Sequence, residues 1–174
     1  VVLRHSCLSA LDHLETVGGA AEKATSSSVE ERLMAVLFLR RHHSPKLVEF
    51  ISDADLGVRM EVIRAIYDTK VLDTWVGDRL AALDGHGLPE TVQRRIVAAN
   101  YRKGTAKNAK RLVGLAADAK LHKFVRQAAL HGLRMWEASI DTDPVLGHYR
   151  PQVVKGRTMQ QLGSDLTGPL RRFI

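Results

Sequence analysis

The sequence predicts an all-α solenoid of about four stacked helix pairs, and three observations lead there. A nine-residue pattern of the form Val-Arg-x-x-Ala-Ala-x-Ala-Leu recurs, Ala, Leu and Val dominate the apolar positions, and turn residues separate the copies. The pattern is clearest at Val125-Arg126-Gln127-Ala128-Ala129-Leu130-His131-Gly132-Leu133 and at Val58-Arg59-Met60-Glu61-Val62-Ile63-Arg64-Ala65-Ile66. Weaker copies lie at residues 3–11, 31–39 and 92–100. Positions 4, 32, 59, 93 and 126, equivalent to the arginine, are 27 to 34 residues apart, the length of two short helices and two turns.

Paired helices at this spacing point to a HEAT-type α-solenoid, whose units bury their apolar stripes only by stacking on one another. Each copy reads as the second helix of a pair. Val125, Ala128, Ala129, Gly132, Leu133 and Trp136 fall at helical spacing and form one stripe, small enough for a neighbouring helix to approach closely. A first helix from Thr105 to Ala117 supplies Ala109, Leu112, Val113 and Ala116, and another supplies Leu72, Trp75, Val76, Leu80 and Leu83. The first helices near Gly19–Ala24 and Lys46–Ile51 are predicted to be short. Leu33–Leu39 is apolar on nearly every side, as a helix flanked by repeats must be.

Turn chemistry falls where the scheme needs it. Asp55 is placed to cap the helix carrying Arg59, and Ser26-Ser27-Ser28 precedes Glu30 and Glu31, acids suited to a helix start. Asp84-Gly85-His86-Gly87-Leu88-Pro89 breaks one helix before Pro89 or Glu90 begins the next. Gly104-Thr105 reads as a stop followed by a cap. The repeat array is therefore expected over residues 1–136, with strands unexpected. Residues 137–174 should be a loop and terminal helix packing on or following the array, with Ser139–Pro151 an ordered loop or extended segment and the helix near Thr158–Leu166.

Composition bounds the function. The 45% hydrophobic and 26% charged content is that of a folded domain rather than a disordered chain. No apolar run approaches the eighteen or so residues of a membrane span, and no signal-peptide layout is present. The chain opens at Val1-Val2-Leu3-Arg4 inside an amphipathic pattern, as expected of a piece of a longer polypeptide. A lone cysteine, Cys7, excludes an intrachain disulfide and reads as a small buried hydrophobe.

The order of the repeats is marked by Ser52–Asp68, Ala98-Ala99-Asn100-Tyr101-Arg102-Lys103-Gly104-Thr105-Ala106, Met135-Trp136 and Asp143-Pro144-Val145-Leu146-Gly147-His148-Tyr149-Arg150-Pro151, of which the Asn-Tyr-Arg-x-Gly stretch and the tail from Trp136 to Pro151 are more particular than the degenerate repeat. Together they resemble, over residues 1–151, the HEAT-repeat region of large planctomycete and verrucomicrobial secreted proteins that join a sugar-dehydrogenase-like β-propeller, HEAT repeats and a cytochrome c module. The resemblance implies an extracytoplasmic or periplasmic scaffold between redox modules. It transfers no catalytic residue, since the chain has no Cys-x-x-Cys-His haem attachment motif, and Tyr101, Trp136 and Tyr149 read as packing positions.

Candidate sites are few. His42-His43 resembles a metal pair, but adjacent helical residues diverge by about 100°, and cations at a helix C-terminus account for them. His122, His131 and His148 are dispersed. Enzyme signatures such as a phosphate loop or a Gly-x-Ser-x-Gly elbow are missing, so no catalytic, cofactor or metal residues are assigned. The formal net charge of +7 permits an anionic partner. Arg94, Arg95, Arg102, Lys103, Lys107, Lys110 and Arg111 are the candidate surface, and clustered on a concave face they would follow a phosphate backbone. The competing reading makes them solvated faces and gives the repeat arginine a structural role, pairing with a turn acid as Arg59 with Asp55. The leading expectation is a non-catalytic scaffold for another protein or a neighbouring domain of the parent chain. Nucleic-acid binding is the alternative.

Overall fold

A computed structural model describes Ser6, Ala10 and residues 12–158. These residues are mostly helical with one small two-stranded sheet. The chain forms two compact units that meet in sequence between Leu80 and Ala81.

In the first unit, α1 (Val17–Glu22) and a 3₁₀ turn precede α2 (Val29–Arg41), and a second 3₁₀ turn (Pro45–Phe50) precedes α3 (Leu56–Tyr67). The short first helices expected from the sequence are thus a single α-turn and a 3₁₀ turn. Local capping sets the starts: Ser28 Oγ accepts from Glu31 N, and Asp55 Oδ1 accepts from Val58 N at 3.0 Å. Val36, Phe38, Leu39, Leu47, Phe50, Val62 and Ile66 form the buried interior.

The expected Asp55–Arg59 rung does not form. Asp55 is occupied by its cap, and Arg59 Nη1 donates instead to the Asp53 carbonyl at 3.1 Å. The rung that exists joins consecutive motif helices through a turn: Arg32 Nε and Nη2 grip the Asp53 carboxylate at 2.7 and 3.1 Å, and Nη1 donates to Ser26 O. That bidentate bond holds the Arg32 guanidinium above its usual range.

α4 (Trp75–Ala81) follows a separate 3₁₀ turn at Lys70–Asp73. The break corrects the single stripe expected from Leu72 to Leu83, because the helical phase does not run through Thr74. Leu72, Val76 and Leu80 are buried, while Trp75 is 58% exposed. Gly77 sits so close to the Leu72 carbonyl that a Cβ would come within 1.9 Å of its oxygen.

The second unit contains α5 (Glu90–Lys103), α6 (Ala106–Ala117) and α7 (Lys123–Arg134), then β1 (Ile140–Thr142) and β2 (Tyr149–Gln152). α6 packs on both α5 and α7, and α7 on α5. Its interior joins Val97 and Tyr101 to Leu112, Val125, Ala129, Leu133 and Trp136, with the Tyr101 and Trp136 rings edge to face at 6.4 Å. The stripe expected on α7 is buried except Ala128, which is partly open. Gly104 ends α5 at φ 65°, and Thr105 starts α6 with a reciprocal capping box to Asn108.

The antiparallel hairpin, Ile140 opposite Gln152 and Thr142 opposite Tyr149, corrects the expectation of no strands. Its connection is organised by Asp143, whose Oδ1 accepts from the backbone N–H of Val145 and Leu146. Tyr149, expected to pack, is 76% exposed on this two-stranded ribbon, with no second layer over that face among the described residues. The expected helix near Thr158–Leu166, Cys7, and nearly all of the copy at residues 3–11 lie outside the described residues.

Candidate functional site

In the second unit the two motif-bearing helices α5 and α7 flank an apolar cleft of about 630 Å³. Glu90, Arg94, Val97, Ala98 and Tyr101 line one side, and Phe124, Gln127, Ala128, His131, Gly132 and Met135 the other. Ile140, Thr142, Pro144 and Val145 of the hairpin close one wall. The opening follows from sequence: Ala98 and Ala128 present only methyl groups to the space between the helices. Phe124 stands 50% exposed at its edge, with Lys123 Nζ 5.1 Å from the ring centroid. Arg94 Nη2 donates to Pro144 O at 3.0 Å and ties the hairpin wall to α5.

The C-terminal end of α5 is strapped. Arg157 Nη1 and Nη2 donate to the Tyr101 and Arg102 carbonyls at 2.8 and 3.1 Å, and its Cζ lies 4.9 Å from the Trp136 ring centroid and 5.5 Å from that of Tyr101. Burial lowers the Arg157 pKa and raises that of the Tyr101 hydroxyl, which donates to Ala138 O at 2.6 Å. Gly104 is required twice here, for its positive φ and because a Cβ would lie 1.8 Å from Arg157 Nη2. Gly104→Ala is therefore expected to destabilise by more than the roughly 1–2 kcal/mol of a left-handed alanine. Adding Arg157→Ala should remove the clash component, so the two changes are less than additive in urea unfolding.

The seven basic residues expected to form an anionic-partner surface do not share one face. Arg94 rims the cleft, Arg95 Nη1 donates to Thr91 O, and Arg102 is in a buried ion pair with Asp143. Lys103 is half-buried at the end of α5. Lys107, Lys110 and Arg111 do align on α6, opposite its buried Asn108, Ala109, Leu112 and Ala116. Sequence reading missed a different regularity. Helices α5, α6 and α7 carry ten Lys and Arg between them, and Glu90 is their one carboxylate.

Histidines are used in pairs with acids. His42 Nε2 lies 3.0 Å from Asp12 Oδ1, and His86 Nε2 lies 2.6 Å from Asp118 Oδ2. The His86 bond, helped by Lys120 N–H, holds the Asp118 carboxyl below the usual carboxylate range. A carboxyl depressed in the folded state adds stability above its unfolded pKa and loses it as pH falls through the folded value. His86→Ala should therefore lose less stability than the parent when urea unfolding is followed from neutral pH down through the carboxylate range.

Among the described residues no three His, Cys, Asp or Glu side chains group as a metal site requires, and no helix is long and apolar enough to cross a membrane. Comparison with known proteins finds no matching family model, curated protein or solved structure.

Proposed function

We propose that the chain is a non-catalytic HEAT-type α-solenoid scaffold that holds a protein partner or a neighbouring domain of a larger polypeptide, without a bound cofactor. The observation that carries this reading is the apolar cleft between α5 and α7, a concave, unfilled surface on helices that bear the repeat motif. Further support comes from where the motif falls. Its copies lie on α2, α3, α5 and α7, each preceded by another helical segment, shorter in the first three pairs and equal in length in the last: α1 with its 3₁₀ turn, Pro45–Phe50, α4 and α6. A redox parent and an extracytoplasmic setting rest on the family resemblance alone.

Nucleic-acid binding is the second reading, favoured by the basic helices of the second unit. Against it, guanidiniums that a phosphate backbone would need are already engaged: Arg94, Arg95, Arg102 and Arg126 all donate to backbone carbonyls. The cleft itself is apolar, and its aromatic Tyr101 is buried rather than presented for stacking. Fluorescence anisotropy of the full chain with short single- and double-stranded DNA at about 50 and 200 mM salt tests the choice. No binding at the lower salt is expected, whereas tight, salt-steep binding would replace the scaffold reading with the nucleic-acid one.

A further inference from the structure

The geometry points to an acidic amphipathic helix of about three turns as the occupant of the α5–α7 cleft, an inference that rests on the scaffold reading and names its partner's chemistry. Its lining residues have the spacing of one continuous helical face on each side. On α7 they are Phe124, Gln127, Ala128, His131, Gly132 and Met135, at i, i+3, i+4, i+7, i+8 and i+11. At 1.5 Å rise per residue those eleven steps span about 16 Å, which three turns of a docked helix match. An open trough of that length between two helices takes a helix whose apolar side chains recur at i, i+4 and i+7.

Charge selects among such helices. Of the two helices that flank the cleft, α7 has Lys123, Arg126, His131 and Arg134 and no carboxylate, and α5 has Arg94, Arg95, Arg102 and Lys103 against Glu90. Residues 81–158 hold 14 Lys and Arg against 6 Asp and Glu, a net of +8, whereas residues 12–80 hold 9 against 12 and are net negative. The cleft thus sits wholly in the basic unit. Glu90, the one acid lining it, is already placed 3.6 Å from His122. A basic helix would be repelled by this field and an acidic one steered into it. The segment 159–174, with Arg171, Arg172 and the lone acid Asp165, has the wrong charge for the same trough.

A displayed library of random 16-residue peptides, panned against the full chain, tests the assignment. Enriched peptides are expected to be net acidic with apolar residues at i, i+4 and i+7. A synthetic copy of the strongest should lose about tenfold or more in affinity on Phe124→Ala or on Ala128→Glu, and weaken between about 50 and 200 mM salt. Phe124 is half exposed, so its variant should keep the parent's thermal melt and report binding even where Ala128→Glu does not fold. Enriched peptides that are basic, lack the spacing, or ignore both substitutions overturn the inference. So does sedimentation showing a dimer that Phe124→Ala dissociates, or peptide binding that appears only after residues 159–174 are removed, since each names another occupant. Peptides of other chemistry that still respond to Phe124→Ala would sink the acidic helix and leave the scaffold standing. An absence of any enriched peptide, with salt-steep DNA binding, would sink both.

Discussion

Asp143→Ala should lower the free energy of unfolding by about 3–5 kcal/mol, the loss typical when one member of a buried charge network is removed. Asp143 is fully buried, and its Oδ2 lies 3.2 Å from Arg102 Nη2 and 3.5 Å from Arg150 Nη1. Those two guanidinium side chains are only 10% and 19% exposed, so alanine takes the neutralising carboxylate from both where water has little access. It also frees the N–H groups of Val145 and Leu146, which Oδ1 accepts at 2.9 and 3.0 Å. Asn at this position keeps an acceptor for the backbone but no charge for the arginines, so its loss should be intermediate. Arg150→Ala should cost less than Arg102→Ala, because Arg150 is farther from the carboxylate and more exposed. Urea unfolding monitored by helical circular dichroism gives the ranking. A loss below about 1 kcal/mol for Asp143→Ala would mean that the network is solvated.

The same residue connects stability to the cleft. Pro144 and Val145, the residues that follow Asp143, line its hairpin wall. Loosening their turn should accelerate amide exchange in the wall before it affects α7. The affinity of any cleft ligand is then expected to fall even where the helices remain folded.

What was legible in the sequence was what short-range rules decide. Ser28, Asp55 and Thr105 cap helices because a side-chain oxygen two or three residues ahead of orphan N–H groups has few other things to do. The α7 stripe was legible because six residues at one period admit one buried face. Longer-range pairing was not. Nothing local distinguishes Arg102, buried against an aspartate 41 residues later, from Lys107, which points outward five residues on. Arg32 and Asp53 are 21 residues apart, and the sequence points instead to the nearer Asp55–Arg59 pair, which the cap on Asp55 displaces. Trp75 was misplaced because one non-helical residue, Thr74, resets the phase of the stripe. The cleft left only a faint trace, Ala128 and Gly132 beside an exposed Phe124, since an opening belongs to two helices and no single period describes it.

Asn100 offers the second large effect, and it separates a buried hydrogen-bond network from mere packing. The side chain is fully buried, Nδ2 donates to Ala81 O at 2.8 Å and to Ile96 O at 2.9 Å, and Oδ1 accepts from Asn108 Nδ2 at 3.0 Å. Asn108 Oδ1 in turn accepts from Thr105 N and Thr105 Oγ1, the capping box of α6. One amide therefore links Ala81, the body of α5 and the start of α6. Asn100→Ala should cost about 2–4 kcal/mol, because it leaves Ala81 O and Asn108 Nδ2 buried without this partner. Asn100→Leu fills the space without restoring either bond, so a comparable loss assigns the effect to hydrogen bonding and a much smaller one to volume. Asn100→Asp carries a further sign. Burial and two facing carbonyls raise the folded-state pKa of the new carboxyl, so the variant is least stable at neutral pH and regains stability as pH falls through that raised value. Since Asn100 and Asn108 bond directly, the double alanine variant should fall short of the summed single losses by about 0.5–3 kcal/mol, and strict additivity would mean that the two amides do not communicate.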